Sequence, residues 1–232
     1  MNKLDNFINQ VNTLSTVLEN YHFIFSSQDN LNQSDINKLK QLNCSIKTNT
    51  TADILNAYNN GISRDDLYFM VNEQSDNEIR SIFGKCRYVI SDFEQLEKIN
   101  TIARDKNKKG YLESVAIKFS LDNSCVFCKE TLLKLSSELK SADAIAIRGV
   151  FFVTNTKTSE EFSNYMKTAY ETVKEIASVL PCKVTFLNFG SCIDSLNKAS
   201  LNKSQVDLQF IKNANLVSYL NTTSFYSRFL IS

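Results

Sequence analysis

The sequence predicts an α/β fold of the (βα)8, TIM-like barrel class: a single domain with a flanking helix at its amino-terminal side. Three observations lead there. Short apolar runs alternate with helical patterns along the chain. Eight strand candidates fit into 232 residues, close to the length that such barrels take. No linker rich in Pro, Gly or Ser interrupts the alternation, and no internal repeat shows. A doubly wound open sheet shares these local signals and stands as the alternative. The domain reading is residues 1–20 as an amphipathic helix packing on the barrel and 21–232 as the barrel.

The first helix places Leu4, Phe7, Ile8, Val11, Leu14 and Leu18 at helical spacing, with the first four facing the barrel. A strand over Tyr21–Phe25 follows, then a polar helix over Gln33–Leu42. The second strand, Cys44–Lys47, leads to a helix over Ala52–Asn59 that Gly61 ends. The third strand is Asp66–Val71, with a helix over Asn77–Phe83. The fourth, Arg87–Ile90, feeds a helix running to Ala103, which Ser91 and Glu94 open as a capping box. Leu112–Phe119 is the fifth strand, before a helix over Lys129–Leu139. Ala144–Val153 is the sixth, apolar throughout in the manner of a strand covered on both faces. Thr158 and Glu161 form a second capping box. The helix they open buries Phe162, Tyr165, Met166, Ala169, Val173, Ile176 and Leu180, and Pro181 follows it. Val184–Leu187 is the seventh strand, and Val206–Ile211 or Leu216–Leu220 is the eighth. The aromatic group Phe225, Tyr226 and Phe229 reads as the last barrel helix, with partner docking as the alternative.

Composition narrows the chemistry. Lys+Arg is 26 against Asp+Glu 25, a balance that argues against a broad nucleic-acid or anionic-membrane surface. No apolar run approaches a spanning helix and no signal-peptide core opens the chain, so a cytoplasmic location is expected. The five glycines all stand alone, which leaves neither a dinucleotide nor a P-loop fingerprint. With one histidine, His22, a multi-histidine metal site is excluded. A Ser-His-Asp triad would depend on that residue alone, and a structural role inside the first strand is the expected one. Cys125-Val-Phe-Cys128 has redox or zinc spacing but no second such pair, so incidental or buried thiols are expected and metal is not. The Lys106–Lys109 segment reads as a solvated basic loop.

From about Tyr21 to Asp194 the chain resembles the barrel domain of the fold-type III pyridoxal-phosphate decarboxylases, which act on ornithine, diaminopimelate, lysine, arginine or carboxynorspermidine. Thr50-Thr-Ala-Asp-Ile54 stands where those enzymes carry Ser-Lys-Thr-Glu-Ile. Gly61-Ile-Ser-Arg-Asp-Asp-Leu67 is similar to their Gly-Val-Pro-Pro-Glu-Arg-Ile turn. Ser91-Asp-Phe-Glu-Gln-Leu-Glu-Lys-Ile99 resembles their Asp-Ser-Glu-x-Glu-Leu-x-Lys-Ile helix start. Gly149-Val-Phe-Phe152 and Phe186-Leu-Asn-Phe-Gly190 are similar to their Gly-Val-Ser-Phe-His and Leu-Asp-Ile-Gly-Gly-Gly segments.

The resemblance lies in scaffold positions and fails at cofactor positions. The family's Schiff-base lysine ends a Tyr-Ala-Val-Lys strand, and here that motif reads Phe23-Ile-Phe-Ser26. A hydroxyl cannot form an internal aldimine. The ring-stacking histidine falls on Val153, and the three-glycine phosphate loop becomes Gly190-Ser191-Cys192. The Glu-Pro-Gly-Arg motif has no counterpart, its place falling at Leu220-Asn-Thr-Thr223. The arginine ending the fifth strand becomes Lys118, and no equivalent of the family's carboxy-terminal β-domain is read. The expectation is therefore a catalytically inactive relative acting as a binding or regulatory partner, through a protein partner or self-association. The alternatives are an enzyme with a rebuilt barrel mouth and a decayed fragment. No catalytic or metal residue is assigned. No cofactor is expected, and the family's pyridoxal phosphate is not expected to bind covalently, since Lys47 or Lys118 would have to cross the barrel mouth to replace the missing lysine. The candidate residual pocket is Ser26, Lys47, Asn72, Lys118, Asn155, Asn188, Gly190 and Ser191, where Lys47 and Lys118 could meet a small anion; a solvated rim without ligand is the alternative.

Overall fold

The computed structural model describes residues 3–15, 21–27, 31–106, 110–153, 159–180, 182–189 and 228–231. Its strands are β1 (Tyr21–Ser26), β2 (Ser45–Thr48), β3 (Leu67–Met70), β4 (Arg87–Ile90), β5 (Glu113–Phe119), β6 (Ile145–Phe152), β7 (Phe186–Asn188) and β8 (Arg228–Ile231). All pair in parallel, in chain order, and β8 returns to β1 to close the ring. The barrel expected from the alternating runs is therefore the observed fold. The eighth strand is not where the apolar runs suggested: it lies at Arg228–Ile231, while Val206–Ile211 and Leu216–Leu220 lie outside the described residues. Phe229 consequently belongs to a strand, not to a last helix.

The helices are α1 (Lys3–Ser15), α2 (Gln33–Gln41), α3 (Thr51–Asn59), α4 (Asp76–Ser81), α5 (Phe93–Lys106), α6 (Lys129–Lys134), α7 (Ser136–Ser141) and α8 (Ser159–Ile176). Local chemistry fixes their ends. Asn32 and Thr50 accept from the backbone N–H groups of Asp35 and Asp53, capping α2 and α3. Gly61 ends the turn after α3 at φ +84°, a conformation that L side chains rarely adopt. Ser75 and Glu78 form a reciprocal capping box at α4. At α5 the expected Ser91–Glu94 box is displaced by one residue: Asp92 accepts from Gln95 N, and Gln95 Oε1 accepts from Ser91 N. The Lys129–Leu139 helix is split at Leu135 into α6 and α7. Thr158 and Pro181, and the side chain of Phe162, lie outside the described residues.

Two cores follow from strand alternation. Outward residues such as Ile46, Phe69, Ile90 and Ile117 join the helices' apolar faces in the main core. On α1, Leu4, Phe7 and Val11 are buried, and the Phe7 ring meets Phe25 edge-on at 5.2 Å. Inward residues Ile24, Tyr68, Val89, Ala116, Phe151 and Phe186 form a separate cluster inside the ring. Tyr68, Phe151 and Phe186 meet one another at centroid separations of 5.3, 5.6 and 6.1 Å. Gly149 makes room for them, because a Cβ there would lie 2.0 Å from Phe186 Cζ. Beside it β6 carries one extra residue, Arg148, where the register with β5 shifts. Its carbonyl accepts from Thr185 N and Oγ1 at 2.7 and 3.2 Å, so the bulge leaves no orphan acceptor there.

Gly149→Ala is expected to lower stability by about 1–3 kcal/mol, because the Phe186 ring would have to leave its place in a packed interior. Urea denaturation of the variant against the wild type measures this, and an unchanged midpoint would contradict the packing.

Candidate functional site

The amino-terminal end of the barrel is closed by paired polar groups. His22 Nε2 and Ser45 Oγ lie 2.7 Å apart, and Ser45 donates to Asp66 Oδ1 at 3.2 Å. With the hydroxyl proton given to Asp66, the histidine donates through Nε2. The same ring nitrogen lies 3.4 Å from Asp66, so carboxylate and hydroxyl meet one nitrogen and no Ser-His-Asp relay exists. Arg87 pairs with Asp65 at 2.9 Å and lies 4.9 Å from the centre of the Phe186 ring. Arg64 pairs with the buried Glu113. Burial pushes the Glu113 carboxyl up despite that charge.

The opposite, carboxyl end of the strands is the barrel mouth, where function collects in this architecture. Ser26 lies two residues beyond the inward Ile24, and its cross-strand partner is Lys47. Lys47 in turn pairs with the inward Tyr68, so Ser26 and Lys47 both face the interior. Lys118 follows Ala116 on the inner face of β5 and pairs with Phe151, which pairs with Asn188. Ser26, Lys47, Lys118 and Asn188 are thus brought together on the inner face. Among the described residues, neither lysine's ammonium has a hydrogen bond or an ion pair. Burial depresses the Lys47 ammonium to about 8, helped by the charges of Lys118 and then Lys3. The expectation that Lys47 must cross the mouth is corrected by this register: it stands on the strand next to Ser26, already facing the interior.

A buried carboxylate holds these strand ends. Asp53, 2% exposed, accepts from Ser27 Oγ at 3.0 Å, Thr48 Oγ1 at 3.1 Å and Leu31 N at 2.9 Å. It therefore ties the exits of β1 and β2 to the first turn of α3. In the sequence Asp53 stands in a family-like segment without a role; its only local signal is the Thr50 cap three residues earlier.

Other expected residues separate from the mouth. Asn72 lies in a rim cleft of about 980 Å³ with Asn49, Gln74, Glu78 and Asp92, not beside Lys47. Its N–H donates to Gln74 Oε1 at 2.7 Å. Asn155, Gly190 and Ser191 lie outside the described residues, as do residues 107–109 of the basic loop. Cys128 precedes α6 with its Sγ 3.2 Å from Thr131 Oγ1, and Cys125 donates its N–H to Ser120 Oγ. Burial pushes the Cys44 thiol up to about 12, which removes it from thiolate chemistry. Among the described residues no group of three His, Cys, Asp or Glu is placed to hold a metal. No helix among them is long and apolar enough to cross a membrane.

The described residues do not fit pyridoxal phosphate held in the manner that the resemblance implies. At the carboxyl end of β1 stands the Ser26 hydroxyl, and Val153 directly follows β6, its N–H committed to Phe119 O at 2.9 Å. Neither offers an imine-forming amine or an imidazole at those places.

Two changes test this geometry. Asp53→Ala should cost about 3–5 kcal/mol, since it leaves buried donors from three segments without their acceptor; chemical denaturation reads it. The lowered Lys47 value has a sign that can be worked out. The folded chain gives up this proton near pH 8 and the unfolded chain near 10.5, so the cost of the buried charge is full below pH 8 and is relieved between those values. Lys47→Met should therefore raise stability at pH 7, on the order of 2 kcal/mol, and flatten the rise between pH 8 and 10.5. Melting curves across that range check it.

No protein-family model and no curated protein sequence matches the chain. Solved structures do. The ornithine decarboxylase of Entamoeba histolytica superposes with a TM-score of 0.71 at 13% identity, over 99% of this chain and 63% of that one. The arginine decarboxylase of Paramecium bursaria Chlorella virus, solved with agmatine, gives 0.71 at 13%, over 97% and 61%. The lysine/ornithine decarboxylase of Vibrio vulnificus, solved with putrescine, gives 0.69 at 17%, over 99% and 61%. The chain thus spans about three-fifths of the length of these proteins. Its fold is that of the barrel domain of the fold-type III pyridoxal-phosphate decarboxylases.

Proposed function

We propose that the chain is a catalytically inactive relative of the pyridoxal-phosphate-dependent amino-acid decarboxylases and works by binding, as a regulatory or interaction partner. One observation carries the reading. Ser26 faces the barrel interior at the carboxyl end of β1, where the resemblance calls for the lysine that holds the cofactor. A serine hydroxyl cannot condense with the cofactor aldehyde to an imine, and without that bond the electron sink for decarboxylation is not anchored. Protein association is the second half of the proposal, with a partner or a second copy bound at micromolar concentration or tighter.

The purified full chain, supplied with pyridoxal phosphate and with ornithine, lysine, arginine or diaminopimelate in turn, is expected to release no carbon dioxide above background. Turnover on any of the four overturns the reading. Ser26→Lys alone should also stay inactive, because groups that act as a unit return little when one is restored. For association, sedimentation should show a dimer or a hetero-complex recovered from native extract; a strict monomer in both settings removes the partner role.

A further inference from the structure

We propose that the Lys47 amine captures a small aldehyde or ketone bearing a carboxylate, a 2-oxo acid, as an imine at the barrel mouth, with Lys118 pairing to the carboxylate. The inference goes beyond the reading above and does not depend on it, since it needs neither pyridoxal phosphate nor an amino-acid substrate. It rests on the arrangement of the inner face. Lys47 is the cross-strand partner of Ser26 on one side and of the inward Tyr68 on the other, and it points inward with them. Lys118 points into the same mouth from β5. Neither ammonium meets a carboxylate among the described residues, whereas at the barrel's other end Arg64 and Arg87 are both paired. Two inward cations without counter-charge among the described residues make an unfavourable arrangement that is relieved in two ways together: one gives up its proton, and the other binds an anion.

Lys47 is the one that gives up its proton. Its depression to about 8 leaves roughly a quarter of the amine neutral at pH 7.5, against about a thousandth for an ordinary lysine. A lysine desolvated beside a second cation is a recognised activated nucleophile. Lys118 is left to hold the ligand's carboxylate. The Asp53 clamp fixes the two strand ends from which Ser26 and Lys47 project, so the amine is held in place before the ligand arrives. In the step itself the Nζ lone pair adds to the carbonyl carbon while the carbonyl π pair moves to oxygen. One proton passes from nitrogen to that oxygen, for which the Ser26 hydroxyl is the neighbouring carrier in register. The resulting carbinolamine loses water as the C=N bond forms. Amine and carbonyl go in, imine and water come out, and no oxidant or reductant takes part.

The test uses the full chain with glyoxylate and cyanoborohydride at pH 7.5, the reductant serving only to trap the imine as a stable carboxymethyl-lysine. Peptide mass mapping should place the label on Lys47 at least tenfold faster than on exposed lysines such as Lys134 and Lys140. The labelling rate should rise with a midpoint near pH 8. Propionaldehyde, which lacks the carboxylate, is the control: Lys118→Gln should lower the ratio of glyoxylate to propionaldehyde labelling about tenfold. Label spread over lysines in proportion to their exposure overturns the proposal. So does glyoxylate that binds the chain without trappable label at Lys47, which would make the mouth a plain anion site. An unchanged ratio in Lys118→Gln overturns the role given to that residue. Wild-type mapping decides the main claim even where a variant fails to fold. Since no pyridoxal phosphate or amino acid enters, failure here and failure of the decarboxylase-relative reading are read separately.

Discussion

A closed ring of eight parallel strands has an inside that must be filled by side chains from the strands themselves, and the Phe186 ring lying against Gly149 is where this barrel meets that demand. Tyr68, Phe151 and Phe186 are large, while their neighbours on the inner face include Ala116 and Gly149. The mixture lets three aromatic rings meet in the space that a ring of uniform residues would either overfill or leave void. The bulge at Arg148 belongs to the same solution, for it sets Gly149 opposite Ala116 and so turns the smallest residue inward. Everything above the plug, the mouth included, begins from the level it sets.

The two ends of the barrel treat charge in opposite ways. At the amino-terminal end the cations of Arg64 and Arg87 are met by Glu113 and Asp65, and His22 shares Ser45 with Asp66. The Arg64–Glu113 pair, with its carboxylate buried, adds little net stability, yet either partner is costly to remove, so it holds the strand starts in place. At the mouth the inner-face cations are left without such partners among the described residues. The contrast separates a structural end from one where a ligand can supply the missing charge.

Most of the fold was legible in the sequence, because seven strands and the helices between them carry strong periodic signals. The Ala144–Val153 run read correctly as a strand covered on both faces, and Ile145–Phe152 is that strand. The eighth strand was not legible: Arg228–Ile231 is four residues long, and longer apolar runs nearby compete with it. The candidate site was legible as a list but not as a place. Ser26, Lys47 and Lys118 could be named from strand ends, yet only the parallel register shows that Lys47 neighbours Ser26 and that Asn72 opens on a different cleft. Strand alternation marks which face a residue takes, but strands joined through a helix have no tight turn to fix which residue of the next strand it meets. Asp53 was hidden for a related reason: its partners Ser27 and Leu31 are distant in sequence and reach it only once β1 and β2 are paired.

The pairing of β1 carries a consequence for how the chain reaches this state. β1 lies between β2, its near neighbour in sequence, and β8, the last described strand. The β1–β2 contact can form early, from a short loop and one helix. The other edge of β1 stays open until Phe229, Leu230 and Ile231 arrive from far along the chain to meet Tyr21, His22 and Phe23. Until that loop closes, the arc from β1 to β7 exposes two unpaired edges, and loop closure over such a separation is slow. In that interval an unpaired edge is a template for a strand from another molecule, a hazard that ends only when the ring closes.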